Sequence, residues 1–88
     1  MRAHELLTNP NNWTKSLAVK LPEGKYDLAS AIEKCYGEDN YIHMMEYLAD
    51  MASIYFNKNF TRFGLINWNH SPKTKHSMVI DLLKKAGV

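Results

Sequence analysis

The chain predicts a mainly α-helical fold: a small four-helix domain with a short extended or β-hairpin element near its N-terminus. Three observations carry that prediction. Apolar residues recur at helical spacing in four segments, dispersed Gly and Pro residues separate those segments, and only one short run alternates with a period of two. The 88 residues make a single globular domain, 1–88, burying roughly 60–65 % of its unfolded surface. A composition 45 % hydrophobic and 23 % charged belongs to a packed chain and excludes a disordered tail.

The first helix is short. Ala3, Leu6 and Leu7 share one face, and Thr8-Asn9-Pro10 ends it, because Pro lacks an N–H and restricts the residue before it. Trp13, Leu17, Val19 and Leu21 supply the alternation, broken at Lys15, and Pro22-Glu23-Gly24 closes that run with a turn. Asp27 is the expected cap of the second helix. Leu28, Ile32 and Cys35 at i, i+4 and i+7 form its apolar stripe, and Gly37 is its C′ residue. Asn40 is the expected cap of the third helix, Tyr41 to about Phe56, roughly 24 Å long. Asn57-Lys58-Asn59 breaks it, and Phe60 to Asn69 reads as a non-periodic aromatic segment around Gly64. The last helix starts from Ser71 with Pro72 at N1, or from Thr74 one turn later. Met78, Val79, Leu82, Leu83 and Ala86 form its apolar face, Gly87 stops it, and Trp68 is expected to pack against it.

No catalytic constellation emerges. Cys35 falls on the apolar face of its helix and reads as a small buried residue. Ser71 and Thr74 read as caps. His70 and His76 lie six apart, and His4 and His43 are distant, so neither spacing nor the single cysteine matches a zinc site. His43, Glu46 and Asp50 share a face of the third helix and read as a solvated stripe. The four glycines are dispersed, with no phosphate-cradling loop. The expectation is a non-enzymatic protein without metal or cofactor. One cysteine excludes an internal disulfide and suits a reducing compartment. Met1-Arg2-Ala3-His4-Glu5 lacks the apolar run of a secretory signal, and no stretch approaches ~18 apolar residues. A cytoplasmic location without membrane contact follows.

Charge is divided along the chain. Residues 1–56 hold five Lys/Arg and eight Asp/Glu, net −3; residues 57–88 hold six Lys/Arg and one acid, net +5. Lys58, Arg62, Trp68, Asn69, His70, Lys73 and Lys75 in the basic half are the candidate partner-binding residues. The third helix carries apolar residues on several sides, from Met44, Met45, Leu48, Met51 and Ala52 round to Ile54, Tyr55 and Phe56. Such a helix must be central or must meet a partner. Protein–protein interaction is the leading expectation, with self-association as one form. The alternative is nucleic-acid binding by the basic C-terminal half, where Phe60 and Phe63 interleave with cations. Only two arginines serve base reading there or elsewhere.

Asn12-Trp13-Thr14-Lys15-Ser16, Asp27-Leu28-Ala29-Ser30-Ala31-Ile32, Ile66-Asn67-Trp68-Asn69 and the closing Thr74 … Val79-Ile80-Asp81-Leu82-Leu83 occur in that order. In these landmarks the chain resembles an uncharacterised family of short bacterial and phage proteins, a domain of unknown function. The resemblance implies an origin in bacteria or a mobile element, and no activity. Small phage proteins often occupy a host protein, so it also implies a concrete form of binding: inhibition of a host enzyme such as a defence nuclease.

Overall fold

In the computed structural model, which describes residues 1–15 and 21–88, helices begin and end where side chains or turns satisfy the orphan backbone groups. The first helix, α1 (Ala3–Leu6), is a single turn, and the Glu5 carboxylate accepts the Arg2 N–H at 2.9 Å. That bond holds the Glu5 carboxyl below its ordinary pKa. A 3₁₀ turn follows at Pro10–Asn12. Helix α2 (Leu28–Tyr36) starts at Asp27, whose Oδ1 accepts the Ser30 N–H at 2.8 Å, and stops at Gly37 with φ 88°. Helix α3 (Tyr41–Phe56) ends at Asn57, a left-handed residue with φ 53°. Asparagine tolerates that conformation better than most side chains. Helix α4 (Arg62–His70) starts at Thr61, whose Oγ1 accepts the Gly64 N–H at 3.1 Å. Helix α5 (His76–Ala86) runs into Gly87, left-handed at φ 73°.

These helices make a mainly helical domain of four longer helices, α2 to α5, with α1 added as one turn. The central element is α3, which packs against α2, α4 and α5, while α1 sits on α2 and α5. Leu28 and Ile32 of α2, Met45 and Leu48 of α3, Leu65 of α4 and Val79, Leu82 and Leu83 of α5 are all fully buried. Each such side chain contributes about 1.5–3 kcal/mol through burial. Among the described residues, no helix is long and apolar enough to cross a membrane.

The structure departs from the sequence expectation at four places. The segment expected to be non-periodic is α4, and its inward positions one turn apart are Leu65 and Asn69. With a polar residue at one of two core-facing positions, the apolar period disappears from the sequence. Neither Ser71 nor Thr74 caps α5, which begins at His76. The Thr74 N–H closes a turn on the Ser71 carbonyl at 3.1 Å, and Thr74 Oγ1 donates to the Trp68 carbonyl at 2.6 Å. Thr74 therefore serves the end of α4. Asn40 does not cap α3 with its side chain; its Nδ2 donates to the Tyr36 carbonyl at 2.9 Å, beside a 3₁₀ turn over Glu38–Asn40. Finally, the half-buried Trp68 ring meets Phe56 of α3, with ring centroids 5.4 Å apart. The ring found beside the start of α5 is Trp13, 5.8 Å from His76.

Of the expected extended run 13–21, residues 16–20 lie outside the described residues. Its start forms one parallel bridge, with the Tyr26 N–H on the Asn12 carbonyl at 2.7 Å and the Thr14 N–H on the Tyr26 carbonyl at 3.0 Å.

Leu48→Ala should lose about 2–5 kcal/mol in urea unfolding, through lost transfer energy and the cavity left behind. Ile54→Ala on the same helix, at a side chain 76 % exposed, should stay within about 0.5 kcal/mol of the parent.

Candidate functional site

The last turn of α4 turns inward. Asn69 is 1 % exposed, and its carboxamide joins three parts of the chain. Oδ1 accepts from Trp13 Nε1–H at 2.8 Å and from the Leu28 N–H at 3.3 Å, and Nδ2 donates to the Thr14 carbonyl at 3.3 Å. Leu28 is the first residue of α2, so Asn69 satisfies one of that helix's orphan donors from across the fold. His70 is the next link. Its Nδ1 lies 2.6 Å from the Lys15 carbonyl, which only accepts, so Nδ1 carries the proton. Its Nε2 lies 3.5 Å from Asp27 Oδ2. Lys15 returns the connection, donating from Nζ to the Ser71 and Pro72 carbonyls at 2.9 and 3.2 Å.

The seven candidate binding residues therefore do not form one surface. Asn69 and His70 are committed to this network, and Trp68 packs on Phe56. Lys58 and Arg62 stand before and at the first turn of α4; Lys73 and Lys75 follow its last turn. A nine-residue helix separates the two pairs by roughly 13 Å. Lys58, Lys73 and Lys75 are exposed. Arg62 lies 3.2 Å from Glu46 Oε1 and 4.8 Å from the centroid of the Phe63 ring.

What the structure brings together instead is a groove of about 380 Å³ beside Arg62. One wall is α3, with Glu46, Ala49 and Asp50; the other is the start of α4, with Phe60, Thr61, Arg62 and Phe63. Ser53 fixes the α3–α4 connection, donating from Oγ to the Ala49 carbonyl at 2.8 Å and accepting the Phe60 N–H at 2.9 Å. Phe63 is 63 % exposed despite its size. Ile54, one turn beyond Asp50 on α3, is more exposed still, and Tyr47 lies seven residues before it on the same face. The expected polar stripe of His43, Glu46 and Asp50 is thus one half of a mixed surface. The sequence held a signal for it: Tyr47 and Ile54 interrupt that stripe at helical spacing. Phe63 carried no such signal, because one exposed and one core-facing Phe are alike in a chain read without contacts.

Reactive side chains lie elsewhere. Burial pushes the Cys35 thiol above its ordinary pKa, with the nearby Glu5 charge a smaller contribution in the same direction. His4 Nδ1 lies 2.8 Å from the Val88 carbonyl and His76 Nε2 lies 2.6 Å from the Leu7 carbonyl. Among the described residues, no three His, Cys, Asp or Glu side chains converge on a metal-sized site. Fold and surface together define a small helical domain that leaves Ile54 of α3 and Phe63 of α4 exposed. No protein-family model, curated protein or solved structure matches the chain.

Two outcomes follow from this geometry. Asn69→Ala strands the Trp13 indole N–H and the Leu28 N–H, and should cost on the order of 3 kcal/mol in urea unfolding, with a changed near-UV signal from Trp13. Cys35 should be alkylated by iodoacetamide more slowly than free cysteine at pH 7. The rate should rise at a higher pH than for the free thiol, because a raised pKa leaves less thiolate.

Proposed function

We propose that this chain is a non-enzymatic binding module that engages another protein through the α3–α4 edge. The observation that carries the reading is the exposure of Ile54 and Phe63, 76 % and 63 %, the highest after Met1 among the large hydrophobic side chains of the described residues. Apolar side chains gathered at a surface groove mark interaction sites, since leaving them in water forfeits burial energy that a partner restores. Supporting it, the thiol is held protonated, and His4, His70 and His76 each spend a ring nitrogen on a backbone carbonyl. The landmarks shared with short bacterial and phage proteins suggest the concrete form, occupation of a host enzyme such as a defence nuclease in the cytoplasm.

Nucleic-acid binding is the competing reading, and it draws on Lys73 and Lys75. It is weakened by the α4 separation of the cations, by the pairing of Arg62 with Glu46, and by the inward packing of Trp68. The deciding experiment is capture by the tagged protein from a bacterial lysate, with and without nuclease, read by mass spectrometry. The expected result is a stoichiometric protein that survives nuclease, is retained by the double variant Lys73→Glu/Lys75→Glu, and is lost by Phe63→Asp or Ile54→Asp. Both residues are exposed, so the variants should keep the parent circular dichroism. Partners that vanish with nuclease and with the lysine variant would move the function to nucleic acid.

A further inference from the structure

We propose that the groove between α3 and the first turn of α4 receives an arginine of the partner protein, together with the apolar residue beside it. This rests on the protein-binding reading and adds the chemistry of the anchor. Charge decides the sign of the ligand. Glu46 and Asp50 stand four residues apart on α3 and line one wall. Glu46 is paired with Arg62 at 3.2 Å, whereas Asp50 has no hydrogen-bond or ion-pair partner among the described residues. The groove thus holds two carboxylates against one guanidinium and has a carboxylate to spare. A phosphate or a carboxylate entering it would meet like charge.

Shape and surface narrow the cation further. Ala49 and Phe60 give the groove apolar lining, and Phe63 gives it a ring. Arg62 already lies over that ring at 4.8 Å, yet the residue stays 63 % exposed, so surface remains for a second stacking group. A guanidinium fits both features at once. It is planar and weakly hydrated, stacks on an aromatic face, and forks onto a carboxylate with two parallel hydrogen bonds. A lysine ammonium is a compact, strongly hydrated point charge and forgoes the stacking. A volume of about 380 Å³ accommodates one long side chain and its neighbour. A second copy of this chain is a poorer occupant: of its two arginines, Arg62 is already part of the groove, leaving only Arg2 to enter it.

The test is a titration of the ¹⁵N-labelled full chain with N-acetyl-Arg-Leu amide, its citrulline counterpart and N-acetyl-Glu-Leu amide. The arginine dipeptide should give saturable shifts, in roughly the millimolar range, at the amides of residues 46–50 and 60–64. The citrulline dipeptide, which keeps the shape and loses the charge, should bind about tenfold more weakly. Asp50→Asn and, separately, Phe63→Ala should each weaken the arginine dipeptide several-fold while leaving the remaining spectrum in place. Absent shifts, equal shifts from all three dipeptides, or shifts centred elsewhere would overturn the assignment. So would concentration-dependent shifts at these amides without any dipeptide, which would give the groove to a second copy. If the dipeptides fail while Phe63→Asp still abolishes lysate capture, the anchor falls and the binding reading stands. If capture fails as well, both fall.

Discussion

The carboxamide of Asn69 joins three segments: the Trp13–Thr14 strand-like piece, the first turn of α2, and the end of α4. In the interior, where water is excluded, each of those hydrogen bonds is worth more than at the surface and each lost one leaves a stranded group. Residues 12–15 illustrate the dependence. Beyond the 3₁₀ turn that ends at Asn12 they belong to no helix and no extended sheet, so backbone groups there find partners in the Tyr26 backbone and in the side chains of Asn69 and His70. Lys15 completes the exchange by capping the carbonyls that follow α4.

Histidine plays the same part at three more distant points of the chain. His4, His70 and His76 each direct a ring nitrogen at a carbonyl, of Val88, Lys15 and Leu7 respectively. All three bonds tie the first fifteen residues to the last nineteen. Carbonyl oxygens only accept, so the bonding nitrogen must carry the proton, and the tautomer of each ring is set by the fold. Histidines whose spacing in the sequence matched no zinc site are, in the structure, fasteners between the first and last residues described.

The same economy explains where the molecule remains unfinished. Helix α3 packs against α2, α4 and α5, and the Lys85 ammonium lies 4.2 Å from the Tyr55 ring centroid. Tyr47 is tied down through its hydroxyl, which donates to the Ala86 carbonyl at 2.8 Å. Ile54 stays 76 % exposed, and Phe63 stays 63 % exposed with Arg62 over its ring. The uneven charge along the chain does not become one basic face, because α4 places its cations at opposite ends and Glu46 answers Arg62.

The sequence by itself determined the helical class, the span of α2 and α3, and the stops at Gly37, Asn57 and Gly87. Each rests on interactions within a few residues: an Asp27 cap, apolar spacing, and Gly or Asn residues that take a positive φ at less cost than other side chains. Helix α4 was not legible, because Asn69 occupies a core-facing position that a sequence reading reserves for an apolar side chain. The start of α5 was misplaced for a related reason: Thr74 spends its hydroxyl on a carbonyl six residues earlier, across a turn. The groove was beyond reach altogether, since Asp50 and Phe63 are thirteen residues apart and meet only because α4 folds back on α3. Local chemistry sets where helices begin and end; which of their faces are left in water is decided by how they pack together.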